Sequence, residues 1–163
     1  MAPQVFCLFV GKCREPSLRQ ASDLYALKLS RLARSEVALV KDAPAACTAA
    51  DKCLREGRDM LSRLEPRHLP GAVVIALDER GENWSSRELA TKLKAWEDAA
   101  RTPCFLVGGA YGLSDEVRER ARSGGALFSL GRITLPHELA RVVLLEQLYR
   151  AASINKGLPY HHD

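Results

Sequence analysis

The sequence has no Cys-x-x-Cys pair, no Gly-x-x-x-x-Gly-Lys-Ser/Thr phosphate loop, no Gly-x-Ser-x-Gly elbow and no long apolar run. Each absence removes a class of function. The five cysteines, Cys7, Cys13, Cys47, Cys53 and Cys104, match none of the usual zinc spacings, and an odd number does not close completely into bridges. They read as small apolar fillers in a reducing compartment. Without the phosphate loop, nucleotide hydrolysis is disfavoured. The run Gly108-Gly109-Ala110-Tyr111-Gly112-Leu113 is no dinucleotide fingerprint either, because Ala110 holds the middle glycine's position. Neither Ser114 nor Ser129 lies in a nucleophile elbow, so a serine hydrolase has no support. His161-His162 are adjacent in a tail, a poor geometry for sharing one metal ion. The apolar segment after Met1-Ala2-Pro3-Gln4 is too short to cross a bilayer and follows no basic leader. The expectation is a cytoplasmic protein with neither signal peptide nor membrane anchor.

The chain has 163 residues, 47% hydrophobic and 27% charged, with no repeat or low-complexity tract. That is enough for one domain over residues 1–163 with a core that needs no staples. The net charge of +4 is unevenly spread: residues 1–34 carry six basic and two acidic side chains, residues 35–100 ten and twelve, and residues 101–163 eight and six. Arg14, Arg19, Lys28, Arg31 and Arg34 lie on or beside the first predicted helix. They are either a surface that steers a polyanion or a solvated helix face.

Period and punctuation predict strands at Gln4–Val10, Glu36–Val40, Ala72–Leu77, Pro103–Val107 and Ala126–Leu130. Between them lie helices at Ser17–Ala33, with Leu18, Leu24, Leu27 and Leu32 as apolar positions, at Thr48–Leu64, from Ser85 to about Ala99, and a short one capped by Ser114. Ser85-Ser86-Arg87-Glu88 has the spacing of a capping box. Strand and helix alternate through five strands, which predicts an α/β layer structure with a mostly parallel sheet.

The last helix is predicted from Pro136, at its first turn, to about Ile154. On a helical wheel His137, Glu138 and Arg141 share one sector, while Glu146, Gln147 and Arg150 fall nearly opposite. No single face is wet. The helix is therefore expected to lie between its own sheet and a second cover, either the tail or another subunit; the alternative is an ordinary core helix whose charged ends reach solvent.

Ligands of open parallel sheets bind beyond the carboxyl ends of the strands, so the loops after Leu77, Val107 and Leu130 form one candidate site. Glycines there let backbone approach a ligand closely; the alternative is that they only make tight turns.

Several motifs stand together: Leu77-Asp78, Val107-Gly108-Gly109-x-x-Gly112-Leu113, Leu130 through Thr134-Leu135-Pro136-His137, Arg141-Val142, Leu148-Tyr149-Arg150-Ala151 and Pro159-Tyr160-His161. In these the chain resembles, over essentially its full length, the RlmH family of ribosomal RNA large subunit methyltransferases. The resemblance implies a single-domain SPOUT-type α/β fold with a C-terminal trefoil knot. It implies a homodimer using S-adenosyl-L-methionine to methylate N3 of a pseudouridine in 23S ribosomal RNA. The substrate would be the assembled ribosome, at the subunit interface, with no membrane or DNA partner. Carried over by motif, the cofactor residues are Leu77, Gly108, Leu130, Gly131, Arg132, Ile133, Thr134 and Leu135. Arg150, Tyr160 and His161 are the catalytic candidates, with one subunit's tail completing the other's pocket. In two places the chain departs from the family pattern. His162-Asp163 follow the Tyr-His pair where a basic residue is usual, and Ala110-Tyr111 occupy the glycine loop, where Tyr111 either stacks on a base or on adenine or is simply exposed at the surface. The rival reading is a non-catalytic RNA-binding or ribosome-assembly protein of the same fold; a methyltransferase of this class with another RNA or a protein as substrate is a third.

Overall fold

A computed structural model describes residues 4–66 and 68–162, so Asp163 of the tail lies outside the described residues. Five strands form one parallel sheet in the order β2-β1-β4-β3-β5: β1 Val5–Val10, β2 Ser35–Val40, β3 Ala72–Asn83, β4 Thr102–Val107 and β5 Ala126–Ser129. The helices are α1 Pro16–Ser30, α2 Ala49–Arg63, α3 Ser86–Asp98, α4 Asp115–Gly124 and α5 His137–Asn155.

β1 and β4 are buried along their whole length, as their apolar sequences require. Successive side chains of a strand alternate between faces. Val5, Cys7 and Phe9 accordingly pack with Phe105 under α1, α3 and α5, while Phe6, Leu8 and Val10 pack with Cys104 and Leu106 under α2 and α4. Cys7 and Cys104 are the fillers expected of them; Cys13, Cys47 and Cys53 are half-buried, and all five are free thiols.

Local signals set the helix ends. Ser85 Oγ accepts from the Glu88 amide at 3.2 Å while Glu88 accepts from the Ser85 amide at 2.7 Å, completing the capping box. Ser114 Oγ accepts from the Val117 amide at 3.3 Å and starts α4.

Three expectations need correction. β3 does not stop at Leu77: after a four-residue excursion through Asp78-Glu79-Arg80-Gly81 it rejoins β5, with Glu82 and Asn83 beside Phe128 and Ser129. In α1, Leu24 and Leu27 are exposed and Leu29 is the buried residue, because the stripe facing α5 runs through Tyr25, Ala26 and Leu29. Pro136 is not the first helical residue but the extended one before it, at ψ 142. Arg141, for which the sequence gives only a sector of the helix, is 2% exposed and donates to the carbonyls of Val10 and Gly11 at the end of β1.

α5 lies on the sheet between α1 and α3, with Leu144, Leu145, Leu148 and Ala151 buried among them. Within the chain, α5 is also covered by α1 and α3 and, where Tyr160 meets Tyr149, by the tail. No helix among the described residues is long and apolar enough to cross a membrane.

Candidate active site

β3, β4 and β5 bring their carboxyl ends to one edge of the sheet, and the start of α5 returns across them. The space left is a cleft of about 660 Å³, a volume within the roughly 300–1,000 Å³ of small-molecule sites. Leu77, Val107 and Phe128 line it from the strands, and Leu113 from the glycine loop. Leu130, Gly131, Ile133, Thr134 and Leu135 line it from the β5–α5 connection. Six of the eight expected cofactor residues thus face one space. The other two do not line it. Arg132 is exposed to solvent, and Gly108 is buried behind the cleft wall, where a Cβ would stand 2.6 Å from the Gly112 carbonyl carbon. Gly108 lets two limbs of the glycine loop touch, and the Gly112 amide closes the turn onto the Gly109 carbonyl at 3.0 Å.

The β5–α5 connection has unused backbone. Among the described residues, the amides of 132–135 donate to no backbone carbonyl. Gly131, at φ +144°, adopts a conformation L side chains avoid, and its amide reaches Ser129 Oγ at 3.3 Å. A ligand edge rich in acceptors would find donors here.

One end of the cleft is charged. Asp78, its side chain 4% exposed, accepts from Arg118 Nε at 2.5 Å, from Arg80 Nε at 3.1 Å and from the Arg80 amide at 2.9 Å. Burial opposes its ionisation, but these donors outweigh burial and hold the carboxyl well below the usual range. The sequence offers no signal for Arg118, because its partner is 40 residues away. At the other end His137 is half-buried, and burial, followed by the nearby Arg141 cation, lowers its pKa.

The catalytic candidates form a second cluster. Arg150 donates to Glu146 Oε1 through Nη2 at 2.5 Å and Nε at 3.0 Å. Its guanidinium lies 4.7 Å from the centre of the Tyr160 ring, and its Nη1 stands 3.4 Å from His161 Nδ1. The Tyr160 hydroxyl donates to Glu146 Oε1 at 3.1 Å, and its ring meets Tyr149 edge-on at 4.6 Å. Burial, then hydrogen bonds with Tyr25 and Glu146, raises the Tyr160 pKa, so the phenol stays protonated. The bond with Glu146 raises that of Arg150, which stays a cation. The organising residue is Glu146, which the sequence reading left unassigned; its signal was the i, i+4 spacing to Arg150. Arg150, Tyr160 and His161 are thus together, but not among the residues lining the cleft. Arg150 lies thirteen residues along α5 from His137, about 20 Å at 1.5 Å per residue.

The comparisons agree with this architecture. A family model described as "Predicted SPOUT methyltransferase" matches residues 4–161. Ribosomal RNA large subunit methyltransferase H of Maridesulfovibrio salexigens is 46% identical over 156 residues, which is 95% of this chain and 96% of the relative. The protein of that name from Lawsonia intracellularis is 38% identical over 156 residues, 95% of each. Among solved structures, a probable methylase family protein from Haemophilus influenzae superposes with a TM-score of 0.55 at 13% identity, covering 100% of this chain and 72% of that one. A probable methyltransferase from Bordetella pertussis gives 0.53 at 16% identity, covering 91% and 96%. At such identities the structural likeness is one of fold. The match to the family model and the identity along nearly the whole length carry the assignment: the chain belongs to the SPOUT methyltransferases and, within them, to the RlmH family.

Proposed function

We propose that the chain is an S-adenosyl-L-methionine-dependent methyltransferase acting on large-subunit ribosomal RNA. As its family implies, the target is N3 of a pseudouridine in 23S RNA at the subunit interface of the assembled ribosome, and the protein works in the cytoplasm as a single-domain homodimer. The observation that carries this reading is the cleft built from three strand-end loops, with unused amides along residues 132–135.

The residues present fit an adenosyl group. Leu77, Leu130, Ile133 and Leu135 offer apolar contact, and the free amides offer donors to acceptors on the base. Gly108 acts through the shape of the loop and not by contact. When bound, S-adenosyl-L-methionine supplies an electrophilic methyl group. The chain then has to orient the nucleotide, exclude water and manage one proton, because the imide N3–H must be removed. Arg150 suits the stabilisation of the resulting anion, being a permanent cation fixed by Glu146. A guanidinium has no acceptor, so the contact with His161 is a hydrogen bond only when Nδ1 is unprotonated. The neutral ring then presents an Nε2–H donor, and His161 takes up the substrate's proton only by leaving Arg150. Tyr160 holds the tail in place.

The separation of the Arg150 cluster from the cleft along α5 supports a partner's tail as the element that completes each cleft. The knot has its support in the path of the chain: from β5 at the sheet edge it returns beside the 78–81 excursion, across the cleft both line, to bury α5 between α1 and α3.

The decisive experiment incubates the protein and methyl-labelled cofactor with ribosomes lacking the modification, then with separated subunits. Label in the large-subunit RNA of assembled ribosomes alone is expected; equal labelling of free RNA contradicts the assignment. A protein giving neither heat nor thermal shift with the cofactor would leave the non-catalytic RNA-binding reading in its place.

A further inference from the structure

α2 is not part of the cleft, yet one of its faces holds the glycine loop. Positions 53, 56, 57 and 60 follow the i, i+3, i+4, i+7 pattern of a single helical stripe. Cys53 Sγ donates toward the Tyr111 carbonyl at 3.3 Å and the Gly112 carbonyl at 3.7 Å. At Gly57 a Cβ would stand 2.3 Å from Ser114 Oγ, so only glycine lets α2 come this close to the start of α4. Met60 is fully buried in the same core as Leu113 and Val117.

Glu56 sits in the middle of this stripe and is 8% exposed. Its Oε1 accepts from the Ala43 amide at 3.0 Å. Its Oε2 stands 3.1 Å from where a Cβ of Gly109 would be. Burying a carboxylate is costly, and burial raises the pKa of this one. An apolar side chain would pack the stripe at lower cost, so packing does not account for a carboxylate. The Ala43 amide takes one oxygen as its acceptor, and the other packs against a turn between Gly109 and Gly112 that has little shape of its own, so its geometry has to be imposed from outside.

We propose that Glu56 is a positioning residue for the cofactor loop: hydrogen-bonded to the β2–α2 connection at Ala43, it packs against the turn at Gly109 while Cys53 bonds the carbonyls on the far side of that turn. The inference rests on reading residues 108–113 as part of the cofactor site. Ala43 is not a cleft-lining residue, and Glu56 links its amide to Gly109, which is one.

Calorimetry with S-adenosyl-L-methionine, methyl transfer to ribosomes and amide exchange test this on the full chain. Glu56→Ala is expected to weaken cofactor binding about tenfold, with faster exchange over residues 109–113. Transfer should show a raised KM for cofactor and a nearly unchanged kcat. Glu56→Gln keeps an acceptor for Ala43 and should restore most of the affinity. In the parent protein, cofactor should slow exchange at Ala43, a readout that holds even if Glu56→Ala does not fold. Parent-like binding by Glu56→Ala, no rescue by Glu56→Gln, or unchanged exchange at Ala43 overturns the inference while the cofactor reading stands. A parent protein that binds no cofactor overturns both.

Discussion

Replacing Gly108 by alanine adds one methyl group, and the surrounding backbone says where it lands. It would stand 2.6 Å from the Gly112 carbonyl carbon, 2.7 Å from its oxygen and 3.0 Å from the Leu113 nitrogen. Carbon–carbon contacts are comfortable at roughly 3.5–4.0 Å, so the two limbs of the loop have to part by about 1 Å. All three obstructing atoms are main-chain, and the turn is closed by the Gly112-to-Gly109 bond at 3.0 Å, so no side chain can rotate out of the way. Overpacking of this kind costs about 1–3 kcal/mol. For a domain of this size each kcal/mol lowers Tm by about 2–4 °C, so Gly108→Ala should melt several degrees below the parent. Because the displaced limb carries cleft-lining residues, cofactor affinity should fall with it. Gly124→Ala is the control. Its methyl meets only the flexible Arg120 guanidinium, at 3.1 Å, at the end of a helix. Alanine is favoured over glycine there by up to about 1 kcal/mol, so this variant should melt at or above the parent. Calorimetric melting and cofactor titration read both variants. A Gly108→Ala protein with the parent's Tm and affinity would refute the account of a loop locked by its own backbone.

Arg150→Ala should leave cofactor binding intact and lower methyl transfer on the order of 100-fold, and Glu146→Gln, which loosens the same guanidinium, should lower it less. Single-turnover assays on unmodified ribosomes check both. The pKa of Asp78 is depressed in the folded state from an ordinary 3.8, so its ion pairs contribute fully above about pH 4 and lose their contribution as the pH falls toward the folded value. Asp78→Asn should therefore cost about 1.5–3 kcal/mol near neutrality, and the gap from the parent should narrow below about pH 4, as urea denaturation in the two ranges would show. Leu148→Ala, at a fully buried position on α5, should cost about 2–5 kcal/mol in the same assay; a loss under 1 kcal/mol would contradict the packing of α5 described above.

Much of the fold was legible because its signals are local. β1 and β4 announce themselves as unbroken apolar runs, and Ser85 and Ser114 mark helix starts through atoms three residues away. The glycine loops could be assigned to one sheet edge because strand–helix alternation puts every strand's carboxyl end on the same side. The continuation of β3 was not legible. It depends on Gly81, where a Cβ would stand 2.6 Å from the backbone of Leu127 and Phe128, a contact 46 positions distant in the chain that no window of neighbouring residues contains. The two exposed leucines of α1 misled for a related reason: composition says how much apolar surface a helix carries, while its neighbours decide which stripe is covered.

Charges were the least legible, and Arg141 shows why. A helical wheel gives the direction of a side chain but not what stands there. At Arg141 that direction leads to the carbonyls of Val10 and Gly11, where β1 ends and the chain turns at φ +70°. Buried carbonyls at such a turn need donors, and a guanidinium offers several from one side chain. The same residue type on the same helix, Arg150, points instead at a carboxylate four residues earlier and is covered by the tail. One arginine holds a strand end and the other supports the candidate chemistry; the acceptors that the topology brings to each, and not the pattern of charge along the helix, separate the two.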